Sequence, residues 1–311
     1  MQIGRYIKAI KKYIFSGGYR FLVNSGYGKY DDMPDAEYLS RKFSVIFGYR
    51  LPLEAPHTFN EKLQWLKLYD RKPEYTVMVD KYKARDYISE KIGAQYLIPL
   101  LGVWDAPDEI DFSLLPDKFV LKCNHNSGRG MCICKDKSAL NIKKVKTDLK
   151  RGLSQDYYLT GREWPYKDVP RKIIAEQFMK SDAGGLTDYK IHCFNGEPKL
   201  ILVCKDRFTQ TGLTEDFFSP QWEHLDIRRP THPNSLTEIA KPEELSEILA
   251  LAKKLSEGIP FLRVDFYIIH HKVYFSELTF YPASGFEKFV PEQWDDTLGS
   301  WLELPSHPAN Q

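Results

Sequence analysis

The stretch FLRVDFYIIHHKVYFSELTFYPASGF, residues 261–286, decides how this chain is to be read. Two apolar runs flank His270-His271, the pattern of two strands joined by a tight turn. Within it stand three charges that a purely structural hairpin does not require: Arg263, Asp265 and Glu277. Side chains alternate between the faces of a strand, so Arg263 and Asp265 share one face and Glu277 can meet them from the second strand. Two carboxylates and a guanidinium on one sheet face suit a divalent cation and a phosphate. Oxygen ligands favour Mg2+, and a guanidinium offsets charge on a transferring phosphoryl group.

Upstream, the chain keeps a strand texture from Lys118 onward. KFVLK and MCIC flank the polar loop CNHNSGRG, in which Lys122 precedes and Ser127 and Gly128 occupy the bend. Backbone N–H groups of such a loop, with Lys122, can close over phosphates, although no Gly-Lys-Ser/Thr opens a helix as in a Walker loop. KIIAEQFM reads as a buried strand ending near Glu176, an edge at which backbone groups recognise adenine beside an apolar slot. DYKIHCF and PKLILVC enclose Asn195-Gly196, a hairpin signal, with Asp188 and Lys190 on one face and Arg207 after the returning strand. An acid there can hold ribose hydroxyls while the bases meet phosphates. Taken singly, an ordinary loop, a solvated strand tip or a cross-strand salt bridge accounts for each of these.

The remainder reads as helix and connection. Residues 60–93 look helical, with Asp80 as an N-cap and Gly93 as a stop, and a second helix is marked from Pro242 to Glu257. Helices and strands in this order predict an α+β fold with antiparallel sheets. At the start, Ile3, Ile7, Ile10 and Ile14 form a stripe, with Arg5, Lys8, Lys11 and Lys12 mostly elsewhere. Such a helix either lies on an anionic membrane surface or docks on its own domain. The chain has 311 residues, and 44 Lys and Arg against 42 Asp and Glu make no case for nucleic-acid binding. No run has the length of a membrane span and no signal-peptide core stands out, which predicts a cytoplasmic protein. Five cysteines, four of them inside apparent strands, read as reduced core thiols.

The order of these pieces resembles an ATP-grasp enzyme. More closely, the chain resembles the branch named for teichuronopeptide biosynthesis and found in cell-surface polysaccharide clusters. The similarity covers roughly residues 30–290 through TFNEKLQWLKLYDRKPEYT, DKYKARDYI, YLIPLLGVWD, FVLKCNHNSG and ELTFYP. It implies that Lys81 and Lys122 hold phosphates, and that Glu176 is the hinge acid before backbone contacts from Gln177 and Phe178 to adenine. Asp188 and Lys190 match the Asp-x-Arg strand of glutathione-synthetase-like members, with Lys in place of Arg. Arg263 and Asp265 match the Arg-x-Asp strand, and Glu277 matches the Glu-x-Asn metal motif. Thr279 stands where the family has its Asn ligand and still offers an oxygen. Ser284-Gly285 falls near the acyl-phosphate pocket of the ligases.

The resemblance thus implies an ATP-grasp fold: an N-terminal accessory region (1–79) with the amphipathic helix, then two α+β subdomains (80–178 and 179–311) gripping ATP between antiparallel sheets. It further implies an ATP- and Mg2+-dependent carboxylate–amine ligase of polysaccharide or capsule synthesis, working through an acyl phosphate. Lys190, Arg207 and Arg263 are the candidate catalytic cations; Asp265, Glu277 and Thr279 are the candidate metal ligands. The expected substrates are a uronic acid on a sugar or glycan and an amino acid. A sugar kinase uses the same ATP floor and stays open. A glycosyltransferase calls for an Asp-x-Asp motif on a parallel sheet, which the sequence lacks.

Overall fold

Two tight turns set the frame of the molecule. Asn195-Gly196 and His270-His271 have positive φ at both residues (51° and 81°, 49° and 58°), as in the two-residue turns whose twist suits paired strands. The computed structural model describes residues 10–180, 185–207 and 212–306. The chain runs through α1 (Gly17–Ser25), α2 (Asp35–Phe47), α3 (Phe59–Tyr69), α4 (Glu74–Val79) and α5 (Ala84–Lys91), then β1 (Leu100–Trp104), β2 (Phe119–Cys123) and β3 (Cys132–Cys134). There follow α6 (Ile142–Leu153), α7 (Tyr157–Gly161), β4 (Ile173–Gln177), β5 (Asp188–Phe194), β6 (Glu197–Lys205) and β7 (Thr214–Phe218). Last come α8 (Leu245–Ser256), β8 (Phe261–Ile269), β9 (Lys272–Thr279) and α9 (Gln293–Trp301).

The strands form two sheets, in the orders β1-β4-β2-β3 and β7-β6-β5-β8-β9. Every pairing within them is antiparallel, so the α+β class read from the sequence holds. In the smaller sheet, Phe119, Leu121, Ile173 and Ala175 bury against Val145 and Leu149 of α6. The larger sheet buries one face, with Ile191, Cys193, Ile201 and Val264, under Ile248, Ala252 and Leu255 of α8. Helix α3 packs into the same core. Its Thr58–Glu61 capping box satisfies the first-turn donors, and Phe59 meets Phe261 and Phe194 with ring centroids 5.0 and 5.7 Å apart.

Register places the charges. Across β5, β8 and β9, Lys190 lies opposite Asp265 and Asp265 opposite Glu277, while His192 lies opposite Arg263 and Arg263 opposite Thr279. Directly paired residues share a sheet face, so these side chains all emerge on the face that α8 does not cover.

Some expectations change in detail. The helical stretch 60–93 divides into three helices, broken around Arg71–Pro73 and Asp80–Lys83. Asp80 caps the turn ahead of α5 rather than the helix itself, accepting from the backbone N–H of Tyr82 at 2.8 Å. The helix after Pro242 begins at Leu245. All five cysteines lie in strands and are free. Ile3 and Ile7 of the predicted stripe, with Arg5 and Lys8, lie outside the described residues. Ile10 and Ile14 sit on helical residues 10–15 and are 58% and 56% exposed.

Candidate functional site

The floor of the site is a charge cluster on the face of the larger sheet opposite α8. Arg263 grips Asp265 with two parallel bonds, Nε to Oδ1 at 2.7 Å and a terminal nitrogen to Oδ2 at 2.8 Å. It also donates to Thr279 Oγ1 at 3.0 Å and lies 3.9 Å from Glu277. Lys190 pairs with Asp265 from the neighbouring strand. Lys81 comes from the turn before α5, 3.1 Å from Glu277 Oε1, and donates to the carbonyl of Asn126 at 2.9 Å. Sequence-distant strands and a helix-leading turn thus bring Lys81, Lys190, Arg263, Asp265, Glu277 and Thr279 together.

Three cations against two carboxylates leave this floor positive. Burial pushes the Asp265 carboxyl up, but Arg263 and Lys190 outweigh it and hold the group ionised, at about 2. Burial also works against the Arg263 charge, and Asp265 more than offsets it, raising the guanidinium above its ordinary value. For Glu277, burial raises the carboxyl while Lys81 leads the cations that hold it below its usual range, in spite of Asp265. Both carboxylates therefore stay anionic at neutral pH, and the excess cation favours an anionic ligand.

Beside the floor, between the two sheets, opens a cleft of about 390 Å³ lined by Val79, Lys81, Lys122, Glu176, Phe275 and Glu277, among others. Lys122 on β2 reaches Glu176 on β4 at 2.6 Å, and Arg85 of α5 lies 3.9 Å from the same carboxylate. Gln177 is exposed and Phe178 half-buried, just past the cleft-facing Glu176. The loop after Lys122 is anchored at one end and open at its tip. Asn124 donates to Asp80 Oδ1 and Pro170 O, both at 2.8 Å, and accepts from Lys172 N at 2.7 Å. Asn126 donates to Gly152 O at 3.0 Å. Ser127 and Gly128 are exposed, and Gly128 needs its positive φ of 78°.

Asp188 and Arg207 make a separate pair at 3.2 Å, two register positions along β5 from Lys190. Their carboxylate and guanidinium sit at the rim rather than in the Arg263 cluster. Several neighbours had no signal in the sequence because distant segments supply them. Arg85 joins the cleft from α5. The Tyr157 hydroxyl of α7 is a hydrogen-bonding neighbour of Ser127, and burial, then Glu163 and Glu277, make it harder to ionise. On the far side of Arg263 a second, small pocket is lined by His192, Arg229 and Glu287 with apolar side chains. Arg229 is held there by Glu215 and, at 2.7 Å, by Glu287. Burial, helped by Arg263, keeps His192 neutral down to about 3.

The family model described as TupA-like ATPgrasp matches residues 61–303. No curated protein matches the chain significantly. Among solved structures, the chain is similar to D-alanine–D-alanine ligase from Bacillus anthracis complexed with ATP, at 15% identity over 65% of this chain and 53% of that one, with a TM-score of 0.39. D-alanine–D-alanine ligase from Helicobacter pylori is similar at 17% identity over 78% and 69%, with a TM-score of 0.40. The ATP-grasp ligase PsnB complexed with minimal precursor is similar at 12% identity over 71% and 59%, with a TM-score of 0.38. The chain thus spans between about half and two thirds of the length of these proteins.

Proposed function

The chain belongs to the TupA-like ATPgrasp family, and on that premise we propose that it is an ATP- and Mg2+-dependent ligase that joins a carboxylate to an amine. The observation that carries the reading is the positive floor built on Asp265 and Glu277 at the mouth of a cleft bearing Lys122 and Glu176. In this reading residues 80–178 and 179–311 are the two lobes around the nucleotide, with residues 1–79 accessory to them. The adenine end lies along Glu176, Gln177 and Phe178. Lys81, Lys122 and the Ser127–Gly128 tip take the phosphates, and Asp188 the ribose.

The donor set fits Mg2+. Asp265 and Glu277 are ionised oxygen donors on paired strands, and Thr279 adds a hydroxyl oxygen. Glu277 is the more open of the two carboxylates, 28% exposed at its side chain, whereas Asp265 is enclosed by its two cations. When bound, the ion supplies charge neutralisation at the phosphates. Lys190 and Lys81, now paired with these carboxylates, are free to turn to phosphate oxygens once a cation takes their place.

The acceptor carboxylate attacks the γ-phosphorus, the bond to the β–γ bridging oxygen breaks, and ADP leaves with an acyl phosphate formed. Arg263, with Lys190 and Arg207 nearby, offsets the negative charge on the phosphoryl oxygens. The amine then attacks the acyl carbon, phosphate leaves with the bonding electrons, and the amine proton passes to phosphate or water. We assign the acceptor to a uronic acid of a cell-surface glycan and the amine to an amino acid, as the family's polysaccharide setting suggests. Calorimetry with a non-hydrolysable ATP analogue and Mg2+ tests the core of the reading, and absence of binding at millimolar nucleotide overturns it. Release of ADP that depends on both a uronic acid and an amino acid tests the substrates.

No helix among the described residues is long and apolar enough to cross a membrane. Exposed Ile10, Ile14 and Phe15 beside Lys11 and Lys12 support a cytoplasmic enzyme held reversibly on an anionic membrane face, where lipid-linked glycans are assembled.

A further inference from the structure

Lys67 of α3 is completely buried, a cation for which the proposed chemistry has no use. Its ammonium donates to Gln64 Oε1 at 3.0 Å, Gly161 O at 2.7 Å and Ser284 O at 2.6 Å. Tyr281 and Phe286 turn their rings towards it, with centroids 5.7 and 4.9 Å away. The acceptors belong to three separate pieces of chain: α3 itself, the end of α7, and the turn that continues β9. That turn is strained, with Ala283 and Ser284 in the left-handed region at φ 47° and 54°. Residues with a Cβ persist there only when the surroundings over-determine them.

The surroundings do so. Gln64 donates to Gly285 O at 2.5 Å, and Ser284 Oγ donates to Glu163. Gly161 must be glycine for this approach, since a Cβ on it meets Ser284 Oγ at 2.3 Å. The network lies next to the metal-side carboxylate. Burial makes Glu163, Tyr157 and Tyr166 harder to ionise, and the charge of Glu277 adds to this in all three.

We propose that Lys67 is a positioning residue for this site: its ammonium fixes the strained turn Pro282–Gly285 that continues the strand carrying Glu277 and Thr279. The purpose of the turn rests on the ligase reading; the tie itself does not. Three acceptors call for three N–H groups, which only the protonated amine has. Burial pulls this amine down to about 7, with Lys42 acting in the same sense and Glu163 and Asp35 opposing. Above that pH two N–H groups remain for three oxygens, and the turn loses a tie.

Amide hydrogen exchange over residues 281–286 of the nucleotide-free protein reads the tie directly. Corrected for intrinsic rates, protection in the wild type is expected to fall on the order of tenfold between about pH 6 and about pH 8.5. In Lys67→Met, of similar length and uncharged, protection is low and independent of pH. Mg2+-dependent ATP hydrolysis shows the same break in the wild type and a flat profile in the variant, while both bind the non-hydrolysable ATP analogue equally. Equal protection at the two pH values in the wild type overturns the proposal without any variant. A Lys67→Met protein matching the wild type in protection and pH profile overturns it as well. Failure of the wild type to bind the analogue sinks the ligase reading instead, and the exchange experiment still decides the tie.

Discussion

Asp265 is the most enclosed anion of the sheet floor, since both of its oxygens are engaged by Arg263 and Lys190. Its carboxyl is depressed on folding, so its stabilisation is present above the ordinary value of 3.8 and is lost as pH falls towards 2. Close to two pH units correspond to about 2 kcal/mol. Urea unfolding should therefore show a gap between the wild type and Asp265→Asn that is constant above about pH 5 and narrows towards pH 2. A gap that widens on acidification contradicts the pairing. Removing the whole side chain leaves two buried cations with no acceptor there, and Asp265→Ala should cost about 3–5 kcal/mol. Glu277→Ala, at a more open position, should cost distinctly less stability while turnover is lost in both. Lys190→Ala should raise the KM for ATP more than Lys205→Ala, because Lys190 stands on the charged face and Lys205 ends β6 opposite Thr214. Equal effects count against the face assignment. Arg263, Asp265 and Glu277 were legible as a group because a strand's period of two is visible in one dimension; Arg85 and Tyr157 were not, because no spacing links them to the hairpin.

Among the elements, the turn after β9 and helix α3 depend on each other. Gly285 has a φ of 64°, and a Cβ there falls 2.5 Å from Gln64 Nε2 and 2.9 Å from Leu63 Cβ. Gly285→Ala combines left-handed strain with overpacking and should cost about 2–4 kcal/mol in thermal unfolding. A variant as stable as the wild type shows that α3 does not seat against the turn as described. The sequence marked α3 only as the start of a helical stretch over 60–93, and the β8–β9 hairpin through alternation. It did not show that α3 lies against the turn, since the 217 positions between Lys67 and Ser284 are bridged only by folding.

For the whole molecule, helical residues 10–15 present a surface that is both apolar and basic. Ile10, Ile14 and Phe15 point into solvent beside Lys11 and Lys12. Each basic residue near an anionic surface is worth about 1 kcal/mol, so attachment should be reversible and salt-sensitive. Co-sedimentation with anionic vesicles at low and high salt should show binding that salt weakens and that deletion of residues 1–16 removes, with ATP-analogue binding retained. Deletion that unfolds the protein makes the segment a docked structural element and the membrane reading wrong.

The sequence by itself determined the strands other than β1 and β7, two of their two-residue turns and which side chains share a face, because alternation and turn chemistry are local properties of the chain. Its resemblance to ATP-grasp enzymes also marked Lys81, Lys122 and Glu176 as candidates. Only the tertiary structure decided which cation faces which carboxylate: Lys81 on Glu277, Lys122 on Glu176, Lys190 with Arg263 on Asp265. It likewise placed a fully buried lysine from the N-terminal region beneath the turn that follows β9. The reason is physical. A buried charge persists only where partners close around it, and in this chain those partners come from segments that sequence distance keeps apart.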